Sequence, residues 1–275
     1  MQLQQAVPVK VPAVHKVVVW EAFDVTDPMV TAAGKLYEKT LAADERIPWM
    51  WIEQSVQDRT KSKPGLGGWS RHLLLAAPEG RQDDPEALAG YVYGALLPGY
   101  GGYLCYVGVD ERARRMGVGR RLYDQFFKVL RVASGELGES VPFVIWESHR
   151  PDPTAPAADW DNWTARTRLF DRVGGLWVDG VDFLSPNFAF DEEADDAPPV
   201  PLQLFIKPLD VPESAFTPER LREVVSGLHQ RVYRNEPGSS LFDRTLPSAC
   251  EPRLRPAKAA GVRKTERGEL VISEK

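Results

Sequence analysis

Cysteine is scarce in this chain of 275 residues, with only Cys105 and Cys250. Neither sits at a metal-ligand spacing and two thiols make no disulfide framework, so a reducing compartment is expected. Long apolar runs are missing as well. No stretch reaches the length that spans a bilayer, and residues 1–14 hold no extended apolar segment of the kind found in a secretory signal. A soluble, cytoplasmic protein without membrane partners is the expectation. Positive charge is also in deficit: 34 Lys and Arg stand against 39 Asp and Glu, a net charge of −5. That argues against nucleic acid as the main partner and mildly favours a cationic substrate. Hydrophobic residues make up 43%, enough for a sizeable core in one large domain or a domain with an appendage.

The β-branched run 14–20 (VHKVVVW) predicts a first strand. Asp27 and Pro28 are placed to cap and open a helix, and a second helix follows Pro48 through WMWIEQSVQDR. After a loop at 61–68 (KSKPGLGG), strands are expected at 70–77, 88–97 and 102–109, the first two joined by a long polar turn. The run 141–146 (VPFVIW) is apolar on both faces, as a central parallel strand should be. A helix over 161–172 leads to a strand within 176–184, a solvated acidic loop (DEEADDAPPVP, 191–201) and a last strand at 202–209. A helix is expected within 217–233. Residues 235–275 lack a core-forming period and read as a polar tail. The pattern is that of a mixed α/β sheet with one crossover helix.

One stretch resists a purely structural reading. From Tyr106, YVGVDERARRMGVGRRLYDQFFKVL leaves an apolar strand, gathers Arg112, Arg114, Arg115, Arg120 and Arg121 around Gly117 and Gly119, and enters an amphipathic helix. Val118, Leu122, Phe126, Val129, Leu130 and Ala133 share one face of that helix. The first-turn N–H groups of a helix have no internal acceptor and carry the positive end of its dipole. Glycines there admit a bulky anion, and the arginines add charge suited to phosphate. A P-loop would need Gly-Lys-Ser/Thr, which is absent. A dinucleotide fingerprint would need glycine where Leu122 stands.

The segment Arg114-Arg115-Met116-Gly117-Val118-Gly119 resembles the acyl-CoA-binding signature of the GNAT superfamily of N-acetyltransferases, Gln/Arg-x-x-Gly-x-Gly/Ala. The order of strands and helices resembles that family from about residue 14 to 209. The resemblance implies a mixed, mostly antiparallel sheet with a β-α-β acyl-CoA-binding core over residues 1–210, followed by a C-terminal extension, 211–275. It implies acetyl-CoA as co-substrate and no metal, with transfer of an acyl group to a primary amine of a small molecule or peptide in a ternary complex. The alternatives left open are a non-catalytic acyl-CoA-binding module and a phosphate-binding enzyme of another class. By the same resemblance the amides from Met116 to Arg120 hold the pyrophosphate. The pantetheine arm then lies along Tyr106, Val107 and Val109, where this strand splays from the central one.

An attacking amine must lose a proton, and the candidates for the base are Glu147, His149 and Tyr103. Each also has a plain structural role open to it, at a strand end or in the core. Cys105 is expected to be a small buried hydrophobe, and Asp110 and Glu111 N-terminal helix charges. In the family, a Tyr-x-x-x-Gly segment often supplies the proton for the CoA thiolate; here it reads Phe170-Asp171-Arg172-Val173-Gly174. Trp49 and Trp51 are candidates to wall the acceptor pocket, and the loop 98–101 (PGYG) to move near it. Whether the chain forms a homodimer is left open.

Overall fold

The computed structural model describes residues 16–60, 68–188, 198–261, 263–264 and 270–271. Among them, nine strands form one sheet in the order β1-β2-β3-β4-β5-β8-β6-β9, with β7 beside β8. The strands are β1 (Val17–Glu21), β2 (Ser70–Pro78), β3 (Gly90–Leu97), β4 (Gly101–Val109), β5 (Phe143–His149), β6 (Leu176–Asp179), β7 (Phe183–Ser185), β8 (Val200–Pro208) and β9 (Arg253–Pro256). The helices are α1 (Pro28–Thr40), α2 (Trp49–Thr60), α3 (Val118–Glu136), α4 (Ala157–Arg172), α5 (Pro218–Arg231) and α6 (Ser240–Ser248). The mixed, mostly antiparallel sheet foreseen from the sequence is present. Only β4 and β5 run parallel, and they pair only at Gly102↔Val144 and Tyr103↔Ile145. On its other edge β5 is antiparallel to β8 throughout, so the central strand is parallel on one side and for two residue pairs.

Alternation along the strands sorts the core into two faces. Val92, Leu104, Val144 and Trp146 point to the face covered by α3 and α4. On the opposite face Leu73, Leu75, Tyr91 and Tyr93 meet α1 and α2, while Tyr103, Phe143, Ile145 and Ile206 meet α5. Local signals explain the helix starts. Asp27 accepts from the Met29 N–H at 2.8 Å ahead of Pro28. Thr217 does the same for Arg220 at 3.3 Å ahead of Pro218. α3 runs from Val118 to Glu136, and the turn after it comes at Gly138, at φ +70°. Gly180, at φ +85°, splits the single strand expected within 176–184 into β6 and β7. Residues 61–67 and 189–197, most of two expected loops, lie outside the described residues.

The chain beyond Asn235, expected as a polar tail, folds onto the domain. α6 caps β7, where Thr245 Oγ1 accepts from Leu184 N–H at 3.2 Å. β9 extends the sheet against β6, and Arg253 and Arg255 both reach Asp179, at 3.2 and 3.1 Å. Trp163 Nε1 donates to the Ala260 carbonyl at 2.9 Å, and Ala257 and Ala260 are buried. Backbone hydrogen bonds and small side chains hold this segment, and neither leaves an apolar period in the sequence. Among the described residues, no helix is long and apolar enough to cross a membrane.

Candidate active site

The turn between β4 and α3 has the form of an anion cradle. Asp110 accepts from the Arg112 N–H at 2.9 Å and from its guanidinium at 2.8 Å, and the Arg112 side chain beside it holds its carboxyl below the usual range. Arg115 follows at φ +68° and Gly117 at φ +77°. A left-handed arginine costs about 1–2 kcal/mol, a strain that the surrounding turn maintains. Gly117 is the helix N-cap and supplies no side-chain cap, so nothing from the cap competes for the amides of Val118, Gly119 and Arg120. The space a Cβ would occupy at Gly117 is open, and at Gly119 it would lie 3.1 Å from Leu169 Cδ2. Arg114 and Arg120 are exposed and, among the described residues, make long ion pairs at 4.0 Å to Glu111 and 3.6 Å to Asp124, which bind them weakly. Free amides, exposed guanidiniums and missing side-chain bulk fit a phosphate group.

Beyond Tyr103 the pairing between β4 and β5 stops. The break coincides with a bulge: Tyr93 pairs with Tyr106 but Gly94 with Leu104, so Cys105 is the extra residue. The bulge turns Tyr103, Cys105 and Tyr106 to one face. Val107 and Val109 pack on the α3 side. The Tyr106 ring sits edge-on to Tyr37, centroids 5.1 Å apart, and its hydroxyl accepts from Ile47 N–H at 3.3 Å. Of the residues nominated along the pantetheine path, Tyr106 therefore contributes its backbone to the cleft edge and its ring to the α1–α2 core.

Glu147, on the face of β5 turned to α5, is the centre of a part-buried polar cluster. Its Oε1 accepts from Tyr103 at 3.0 Å and from Tyr233, and the two hydroxyls lie 3.3 Å apart. Oε2 is sealed from solvent and has no hydrogen-bond partner among the described residues. Burial pushes the Glu147 carboxyl up to about 7, against the two phenolic hydrogen bonds, which lower it. Burial and then the Glu147 charge push both phenols well above their ordinary value, so both stay protonated as donors. Cys105 is partly buried, and its thiol is pushed up by desolvation and by Glu147, in keeping with an inert side chain.

The sequence nominated Glu147, His149 and Tyr103 together, and the structure joins only Glu147 and Tyr103. His149, at the end of β5, takes no part in the cluster's hydrogen bonds. Tyr233 was missed, because it follows α5 and its only sequence signal is an aromatic next to the end of a helix. Phe170 is buried among Trp146, Phe205 and Tyr123, at centroid distances of 5.5, 4.7 and 6.0 Å. The loop at 98–101 is pinned: the Tyr100 hydroxyl donates to the Val224 carbonyl at 2.6 Å. Trp49 packs on Tyr37 at 5.3 Å and bonds Glu53 at 3.1 Å, while Trp51 stays half exposed. Among the described residues, no group of three or more His, Cys, Asp or Glu is placed to hold a metal ion.

A splayed parallel pair, a crossover helix opening on an uncapped glycine turn and a carboxylate beside the cleft are features suited to acyl-CoA-dependent acetyl transfer. The Acetyltransferase (GNAT) family model matches residues 26–137 of the chain. Among solved structures, the chain is similar to a putative GNAT-family acetyltransferase from Bacteroides thetaiotaomicron, at 14% identity and a TM-score of 0.53. That match covers 80% of this chain and 99% of the other, and the two share the fold. It also matches the ribosomal-protein-S18-alanine N-acetyltransferase from Escherichia coli, at 13% identity and a TM-score of 0.44, over 72% of this chain and 96% of that one. A putative streptothricin acetyltransferase from Bacillus anthracis str. Ames, solved with acetyl coenzyme A, matches at 14% identity and a TM-score of 0.34, over 51% and 63% of the two chains. No curated protein matches the sequence.

Proposed function

We propose that the protein transfers an acetyl group from acetyl-CoA to a primary amine, by direct attack in a ternary complex, with Glu147 as general base. The observation that carries this reading is Glu147 itself, a part-buried carboxyl raised to about 7 with one oxygen held and the other unpartnered. A primary alkylamine has a pKa of about 10.4, so it arrives protonated and must lose a proton before it attacks. A base with a pKa near neutrality is best matched to that task. Oε1 stays bound by the phenols, and Oε2, unpartnered and closed to bulk solvent, takes the proton through a water admitted with the acceptor. Acetyl-CoA, when bound, supplies the activated acyl group and the thiolate leaving group.

The chain's own residues position that chemistry. The amides of Val118, Gly119 and Arg120 and the guanidiniums of Arg114 and Arg120 bind phosphate oxygens. The edge of β4 released beyond Tyr103 offers backbone N–H groups to the pantetheine arm and to a carbonyl gaining negative charge. With phenylalanine at 170, thiolate departure is unassisted from that position, which a leaving thiol of pKa about 8.5 tolerates.

A CoA-release assay against polyamines, aminoglycosides, amino acids and peptide N-termini tests the reading. CoA should appear only when an amine is present, and the rate should rise through a midpoint near pH 7 as Glu147 loses its proton. Thermal stabilisation by acetyl-CoA with no CoA release from any amine would mark a binding module instead.

A further inference from the structure

Tyr233 enters the site from the segment outside the matched domain. α5 buries Leu221, Val224, Val225 and Leu228 against the sheet and ends one residue before its cap at Val232. Beyond Tyr233 the chain reverses at Arg234, at φ +57°, and Asn235 N–H returns to the His229 carbonyl at 3.0 Å. A left-handed residue just past a helix is a usual stop, though commonly a glycine. The stop fixes where the Tyr233 ring points. Its hydroxyl reaches Glu147 Oε1 and lies 3.3 Å from the Tyr103 hydroxyl.

We propose that Tyr233 is a positioning residue for the transfer. Its hydroxyl, together with that of Tyr103, clamps Oε1 of Glu147 and so presents Oε2 as the oxygen that takes the acceptor's proton. This rests on the reading of Glu147 as base. A carboxylate held by one hydroxyl alone can rotate and offer either oxygen, whereas two donors on one oxygen define which one is engaged. The same two hydrogen bonds favour the charged form and keep the part-buried carboxyl from rising above about 7. Other titratable groups around the cluster are Tyr100, Cys105 and Tyr106 from the β3–β4 hairpin and its strand, and His229 from α5; β8 presents Leu204 opposite Glu147. None of these donates to Oε1. The segment after residue 210 thus completes the catalytic machinery of a domain whose cofactor turn lies a hundred residues earlier in the chain.

Tyr233→Phe and Tyr103→Phe test the clamp, with Glu147→Gln as reference. Infrared difference titration of the free protein, wild type against Glu147→Gln, reads the Glu147 carboxyl without any substrate. Tyr233→Phe should raise its midpoint by about one pH unit, since a hydrogen bond to the charged form is lost. The acid limb of the kcat profile should move by the same amount, with kcat at pH 7 lower by about fivefold and the KM for acetyl-CoA unchanged. Phenylalanine keeps the ring packed at a tilt beside Phe183, at 5.9 Å in the wild type, and circular dichroism and Tm confirm the fold. Tyr103→Phe should give the same direction of shift, so the clamp remains testable if one variant misfolds. An unmoved carboxyl midpoint in both folded variants overturns the clamp. A midpoint that moves while Glu147→Gln retains wild-type kcat overturns the reading of Glu147 as base instead, and the positioning role with it.

Discussion

The turn between β4 and α3 is made of chain neighbours, from Asp110 to Arg121, whereas the hydroxyls around Glu147 come from 44 and 86 residues away. The first region works through backbone: a left-handed glycine, uncapped amides and exposed arginines. The second works through side chains that burial has removed from water. A local site can be built by composition alone, so its residue types betray it. A site assembled across the sheet depends on packing, and its members look ordinary one by one. The two also fail differently. Damage to the turn should cost affinity for acetyl-CoA and leave the base intact, while damage to the cluster should cost rate and leave affinity intact.

Glu147→Gln makes the sharpest break. It should lower kcat by about 10²–10⁴-fold with acetyl-CoA affinity, measured by calorimetry, unchanged. Loss of affinity as well would merge the two regions into one. Gly119→Asp should do the reverse. Its Cβ meets the flexible end of Leu169, so the fold survives, while its carboxylate occupies and repels the phosphate site. Affinity should fall on the order of a thousandfold, with circular dichroism unchanged and the Glu147 titration in place.

A third test separates stability from both. Removing residues 236–275 strips α6, β9 and the Ala260 carbonyl from Trp163. We expect a loss of about 4 kcal/mol, read as a Tm lower by roughly 10 °C. In the cold, where the truncated chain stays folded, acetyl-CoA affinity should stay near the full-length value. A truncated protein with unchanged Tm would restore the segment to the polar tail its sequence suggests.

The smallest effect concerns the side of the cluster built by α5. Burial pushes His229 down from its ordinary 6.5 to about 4, so it folds neutral. Between those values the unfolded chain binds the proton and the folded one does not, so stability falls as pH falls from 6.5 toward 4. The loss reaches about 3 kcal/mol at the low end, at about 1.4 kcal/mol per pKa unit. Denaturant titrations of His229→Phe should show a flatter dependence over that window, and an identical dependence would remove His229 as its cause.

Legibility followed the same division. Asp27-Pro28 announced its helix because capping is local chemistry, and the heptad-like face from Val118 to Ala133 announced α3. Glu147 stood out as a carboxylate at the end of an apolar strand. Tyr233 did not, because nothing near it in the chain records that Glu147 lies opposite. β9 escaped for a related reason. Arg253, Leu254 and Arg255 look like surface residues, and what makes them a strand is the free edge of β6 and the carboxylate of Asp179. Cys105 as a bulge residue was invisible too, since a bulge is a mismatch between two strands.

The 130 residues between Tyr103 and Tyr233 also set an order in time. Closing a long loop costs entropy before its contacts can form, and distant pairings form slowly. A chain growing from its N-terminus completes the glycine turn well before Tyr233 has been synthesised, so the proposed co-substrate turn precedes the proposed clamp on Glu147. Refolding should follow the same sequence: the helical signal recovers first, acetyl-CoA binding next, and turnover last, when α5 docks and brings its tyrosine across the sheet.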